Sequence, residues 1–265
     1  MSDAASAVAQ ARAAHRGLRW DDACADFLAV DSPDGLTVED LEKLAECAQL
    51  SGRHEAAVSA LDRAFALRVR EGDLDAASTD AFWLWQAFLL DGEMARANGW
   101  LARFREVAGG NSTEPGWLLV ATAYGCFATG RYDDARALLA PARAQGRERA
   151  DADLDAFATM LIGRAWLNAG ATQAGLERLD EAMLRVTAGE TSPRATASLF
   201  CASIANAEME AHDLARGQDG SERSRPGCQR CRCRPCAGHS SRTAASTGLC
   251  CSGAEGNGSQ PGASS

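Results

Sequence analysis

Lysine is almost missing from this chain: of 27 basic residues only Lys43 is a lysine. The net charge is −9 and the isoelectric point about 5.0, which argues against the basic footprint of a general nucleic-acid binder. Alternating apolar and polar residues of the β type do not occur, so a sheet is not expected. Long apolar runs are also missing. The longest uncharged stretch, Pro115 to Gly130, falls short of the ~20 residues needed to cross a bilayer. Residues Met1 to Gln10 have neither the basic start nor the apolar stretch of a secretory signal, so a cytoplasmic location with no membrane contact is expected. There is no GxxxxGK[ST], no GxGxxG after a strand, no HExxH and no GxSxG. With no catalytic constellation and no cofactor motif, the chain reads as non-enzymatic. Its arginine, alanine and glycine content suggests a GC-rich, bacterial coding sequence.

What is present is 265 residues, 46% apolar and 24% charged, ordinary for a globular protein of one large or two small domains. The composition changes near residue 216. All six tryptophans precede that point, and after it the only large apolar side chain is Leu249. Residues 217–265 carry six of the ten cysteines, nine of the 25 glycines and a net charge of +3, against −12 for the rest. One large aliphatic residue cannot offset the entropy of ordering such a segment. It is therefore read as a disordered Arg/Cys/Gly/Ser-rich tail, and residues 1–216 as the folded domain.

In those 216 residues apolar positions recur with helical period, as in Val58, Leu61, Phe65 and Val69, and Gly or Pro cuts the pattern every 12 to 20 residues. The segments beginning at Gly52, Gly92, Gly130 and Gly170 align with spacings of 40, 38 and 40. Five residues after each glycine stands a small residue (Ala57, Ala97, Ala135, Gly175), and nine after it a leucine (Leu61, Leu101, Leu139, Leu179). Twelve after it come Ala64, Phe104, Ala142 and Ala182, and Gly17 opens a looser fifth copy. The glycine permits a left-handed turn, the small residue lets two helices approach, and the leucine fills the space between successive pairs. The reading is all-α: about eleven helices in antiparallel pairs, stacked as a right-handed solenoid whose core is continuous because no pair can bury both faces alone.

Gly130-Arg131-Tyr132-Asp133-Asp134-Ala135 with Ala142 resembles the second half of a tetratricopeptide (TPR) repeat, and Trp166, four residues before Gly170, matches that family's early tryptophan. The period near 40 and the lack of that tryptophan elsewhere make the array TPR-like. More narrowly, ARAAHRGLRWDDA, LEKLAECAQLSGRHEAAVSALDRAF, LDAFATMLIGRAWLNAG and GLERLDEAMLRVTAGETSP, spread over about residues 3–216, resemble the N-terminal helical region of actinobacterial LuxR-type transcriptional regulators. The resemblance implies an interaction or sensing array placed before a helix-turn-helix domain. Nothing after Arg216 resembles a recognition helix, so no direct nucleic-acid binding is expected. The tail reads as the product of a shifted reading frame or rearranged gene end, the array being a truncated form.

Cys228, Cys231, Cys233 and Cys236 have a spacing that suits tetrahedral zinc, but their Arg, Pro, Gly and Ser neighbours favour low complexity. No metal is therefore expected, and a zinc-binding tail on a helical scaffold is the alternative. Cys24, Cys47, Cys126 and Cys201 read as reduced core residues, and His15 and His54 as partners of helix-end carbonyls. Acids cluster at Asp21-Asp22, Glu39/Asp40/Glu42/Glu46, Asp73/Asp75, Asp133-Asp134 and Asp151/Asp153/Asp155. The default reading is that they complement helix dipoles, and the functional one is an acidic concave surface for a cationic partner. Trp83 and Trp85, two residues apart, are expected to face differently, one of them toward a groove. The expected partner is a protein, a peptide or a small effector in the solenoid groove. An apolar stripe at Phe200 and Ile204, left without a partner helix, is expected to promote self-association through the last helix.

Overall fold

The computed structural model describes residues 2–32, 35–109 and 114–209. Among them are eleven α-helices and no strand: α1 (Ser2–Arg16), α2 (Trp20–Val30), α3 (Val38–Leu50), α4 (His54–Glu71), α5 (Leu74–Leu90), α6 (Met94–Ala108), α7 (Gly116–Ala128), α8 (Tyr132–Glu148), α9 (Ala152–Asn168), α10 (Thr172–Thr187) and α11 (Pro193–Met209). The tail 217–265, with Cys228, Cys231, Cys233 and Cys236, lies outside the described residues.

Each glycine of the repeat closes the first helix of a pair. Gly52, Gly92, Gly130 and Gly170 have φ between 70° and 82°, a region that costs a side-chain-bearing residue energy. The following N–H then reaches back to a carbonyl five residues earlier: Arg53 to Ala48 (2.7 Å), Glu93 to Phe88 (2.9 Å), Arg131 to Cys126 (2.9 Å) and Ala171 to Trp166 (2.9 Å). This turn makes a side-chain cap dispensable, and α4, α6, α8 and α10 have none. In the fifth copy Leu18, not Gly17, takes the left-handed conformation, with Arg19 bonding to Ala14 at 3.0 Å. Three first helices start on capping side chains instead: Thr37 for α3, Asp73 for α5 and Asp151 for α9 accept the N–H groups of Asp40, Ala76 and Leu154.

The small residues lie where the helices of a pair come closest. Ala57, Ala97 and Ala135 are buried. At Gly175 an added Cβ would stand 2.9 Å from the carbonyl oxygen of Gly163 and 2.6 Å from Leu167, so α9 and α10 meet nearly backbone to backbone. Leu61, Leu139 and Leu179 are buried as expected, but Leu101 is only half-buried. Leu179 reaches Gly163 of its own pair, and the seams between one pair and the next are uneven. At α6 that seam is loose, because α6 packs well on α5 and only lightly on α7. The stripe begun at Leu61 and Phe65 likewise fades at Val69, which is exposed. Leu139→Ala should cost about 2–5 kcal/mol and Leu101→Ala less than half of that. Urea unfolding of both variants checks the order; equal losses would contradict the loose seam.

The first helices of successive pairs also touch: α1 with α3, α5 with α7, α7 with α9 and α9 with α11. They form an inner layer, and α11 reaches across to α3 as well. Two elements about 150 residues apart are thus brought together, and the inner layer closes on itself.

Candidate functional site

The inner layer is filled. On α5 the helix is apolar nearly all round, and Phe82, Trp83 and Trp85 are all buried. The two tryptophans do diverge, but neither reaches an open groove. Trp83 lies 6.0 Å from Trp117 of α7 and 5.8 Å from Phe157 of α9, while Trp85 sits edge-on to Tyr124 at 5.2 Å. Phe82 touches Trp117 at 4.4 Å and Phe157 at 5.6 Å, and both tryptophans flanking it. The Trp117 indole N–H donates to Asp151 at 3.0 Å, which satisfies its polar atom.

Above this aromatic cluster lies a knot of charge. The carboxylate of Asp80, on α5, accepts from Arg68 of α4 at 3.0 Å, and Arg68 also pairs with Glu42 of α3 at 2.6 Å. Glu46, one turn further along α3, binds the His15 ring at 2.7 Å. Arg194, in the first turn of α11, closes the group. Its backbone N–H donates to Glu46 at 3.2 Å, its guanidinium donates to the Glu42 carbonyl at 3.2 Å, and the guanidinium carbon stands 5.2 Å from the Trp83 ring centre. The Arg194 Nε is buried and has no acceptor. Two carboxylates hold the helix start: Asp153 of α9 accepts the Ser192 N–H at 2.8 Å, and Glu46 the Arg194 N–H in the same first turn.

Burial sets the acidities here. It pushes Asp80 up to about 7 despite Arg68, with the nearby Glu42 charge adding to the rise. Burial also raises Asp153, against the Ser192 contacts. For Glu46 burial acts upward, but His15 and Arg194 outweigh it and hold the carboxyl below its ordinary range. Burial lowers Arg194, while Glu46, Asp80, Glu42 and Asp153 pull in the opposite direction. The native protein therefore keeps a proton on Asp80 between pH 4 and 7 that the unfolded chain has released, so this group subtracts stability as pH rises through that window. The gap between about 7 and the ordinary 3.8 bounds the effect at roughly 4 kcal/mol. Glu46 works the other way and loses its contribution as pH falls below the ordinary glutamate range. The unfolding midpoint should thus drop from pH 5 to pH 8, and Asp80→Asn should flatten that drop. A wild-type midpoint that rises over this range would refute the assignment.

Several expectations need correction. The inner face carries acids, but around α5 it is packed with aromatics and closed by Arg194. Asp40 and Asp155 are not simply helix-dipole partners. Each is almost fully buried, Asp40 held by the Arg12 fork at 2.7 Å and Asp155 by three arginines. Burial opposes ionisation of Asp40, but Arg12 and Thr37 prevail and keep it below the ordinary aspartate range. His15 and His54 bind carboxylates of neighbouring helices, Glu46 and Asp91, at 2.7 and 2.8 Å rather than terminal carbonyls. Phe200 is buried, because α11 packs against α9, α10 and α3 and is not a bare edge. Trp166 is half-buried beneath the Arg136 guanidinium, 3.9 Å from its ring centre.

Cys24, Cys47 and Cys126 are buried and unbridged as expected, while Cys201 is partly exposed. Cys24 and Cys47 face each other between α2 and α3. The Cys47 hydrogen bond, with help from Arg53 and Ser51, lowers Cys24, while the Cys24 contact and burial raise Cys47. No His, Cys, Asp or Glu group able to hold a metal ion occurs among the described residues, and no helix among them is long and apolar enough to cross a membrane. Asp80 and Arg194 were missed in the sequence. The available signal was a lone acid in the otherwise uncharged stretch from Ala76 to Leu90, since a charge on a largely buried helix needs a partner.

The fold is an all-helical array of stacked pairs with a closed inner layer. The chain matches no protein-family model, no curated protein and no solved structure.

Proposed function

We propose that the chain is a non-enzymatic TPR-like right-handed solenoid, the interaction or sensing region of a LuxR-type transcriptional regulator. The observation that carries this reading is the four-copy repeat. Its glycines adopt the left-handed turn and its small residues the close helix contacts that a stacked-pair array requires. Such arrays bind through side chains of the inner helices, and the strongest concentration of buried charge beside aromatic surface lies there, around Trp83 and Arg194. The array senses by opening and closing this inner layer.

Two measurements test the reading. Reading the nucleotide sequence past codon 216 in the other two frames should restore an amphipathic helix and a downstream helix-turn-helix; finding neither overturns the family part. Thermal unfolding in the presence of peptides and small effectors tests the binding part. A ligand at a hundred times its Kd adds about 2.7 kcal/mol to a protein that binds it only when folded. Turnover of any stabilising compound would make the chain an enzyme and end the proposal.

A further inference from the structure

The contact that closes the inner layer has a definite chemistry. A planar cation lies over the Trp83 indole, a backbone carbonyl of α3 accepts one of its N–H groups, and Glu46 accepts the amide N–H of the same residue. Asp80 and Asp153 stand close enough to act on it, and Asp153 also accepts the Ser192 N–H two residues before Arg194. A guanidinium satisfies such a seat better than an ammonium, because its flat face stacks on the ring while its edge donates in fixed directions. Because Glu46 accepts the backbone amide while the Glu42 carbonyl accepts the side chain, the seat fits an arginine within a peptide. The present occupant fills it imperfectly. The Nε of Arg194 is buried with no acceptor, a loss comparable to an unmade hydrogen bond. Arg194 also lies at the start of the last described helix, and the contact joins that helix to the second pair of the array. An occupant held this way can be displaced without dismantling the pairs α3–α4 to α9–α10.

We propose that the seat formed by Glu42, Glu46, Asp80, Asp153 and Trp83 is a receptor for an arginine side chain, filled in cis by Arg194, and that an arginine-bearing peptide partner opens the inner layer by taking Arg194's place. This names the partner class for the interaction function proposed above and rests on that reading. α11 is then a plug, and the array changes between a closed form and an open form with a foreign arginine bound. A ligand that binds only the open form shifts the population toward it.

Amide hydrogen exchange on the full chain tests this, with N-acetylarginine amide as the probe and N-acetyllysine amide at the same ionic strength as the control. The arginine probe should speed exchange in residues 193–203 by roughly threefold or more over the lysine control, with the α7–α8 pair unchanged. Equal rates with the two probes overturn the proposal. Arg194→Ala gives the second measurement, once its helix content is shown to match that of the wild type. With the cis competitor removed, it should bind N-acetylarginine amide roughly tenfold more tightly than wild type. Equal or absent binding in a folded variant overturns the proposal, and if the variant does not fold, the exchange experiment on the wild type decides alone. A chain whose α11 ignores the arginine probe while another ligand raises its unfolding midpoint keeps the interaction function and loses this receptor.

Discussion

Phe82→Ala should destabilise the protein by about 3–5 kcal/mol, the full cost of truncating a buried aromatic. The reason lies in the uneven seams of the array. Between most pairs the second helix of one packs broadly on the first helix of the next. At α6 and α7 this packing is slight, and Leu101 is half-exposed. The third and fourth pairs are instead joined through the inner layer, where Phe82 of α5 meets Trp117 of α7 at 4.4 Å and Phe157 of α9 at 5.6 Å. Phe82 is fully buried. Removing its ring leaves a cavity bordered by three indoles and takes away the main link across the weakest seam. Phe82→Leu retains most of the volume and should cost under about 1.5 kcal/mol if the surroundings repack. Because Trp83, Trp85 and Trp117 are half of the protein's six tryptophans, their fluorescence should shift to the red in the alanine variant before global unfolding. A loss below about 2 kcal/mol, or no spectral change, would mean that the outer helices carry this seam after all.

How much of this was legible in the sequence follows from the range of each interaction. The turn at Gly130 and the close approach at Ala135 are set within one pair, so a repeat of about 40 residues displays them four times. The burial of Leu139 depends on the neighbouring pair and was still readable, whereas the half-exposure of Leu101 was not, because nothing in its own repeat reports the loose packing of α7 on α6. Arg194 was invisible for the same reason on a larger scale. Its partners Glu42 and Glu46 lie about 150 residues away, and their contact depends on the summed rotation of the three intervening pairs, α5–α6, α7–α8 and α9–α10. The acids were placed on the right helices but given too local a role. An aspartate in a first turn can complement a dipole at the surface or anchor arginines in the interior, and the one-dimensional pattern is the same for both. Phe200 shows the converse error. The sequence after residue 216 offers Leu249 alone among large apolar side chains to cover it, yet α3 approaches α11 from the second pair.

Asp155→Ala should cost about 3–5 kcal/mol, because it removes one member of a buried ionic cluster and leaves the others uncompensated. Asp155 stands in the first turn of α9 and is 1% exposed. Its two oxygens receive Arg143 at 3.4 Å and Arg147 at 3.2 Å from the end of α8, and Arg185 at 2.7 Å from the end of α10. The Thr159 hydroxyl donates to it at 3.3 Å, one turn further along α9. One carboxylate thus clamps the ends of two second helices onto the first helix between them. Glu181 shares Arg143 and Arg147, and Glu190 pairs with Arg185 at 3.2 Å, but both are more exposed and cannot replace the central charge. Without Asp155 three guanidiniums converge on an apolar side chain. Asp155→Asn keeps the shape and the Thr159 contact while losing the charge, so it should fall between alanine and wild type. Arg147→Ala should cost under about 1 kcal/mol, because that arginine is half-exposed and screened by solvent. A double-mutant cycle on Asp155 and Arg185 isolates the closest pair, and a coupling above about 0.5 kcal/mol is expected for residues in direct contact within one network. The measurement is the urea midpoint of each variant at neutral pH. Additive losses for Asp155 and Arg185, or an alanine variant as stable as the asparagine one, would show that the arginines find other partners and that shape, not charge, holds α8 and α10 on α9.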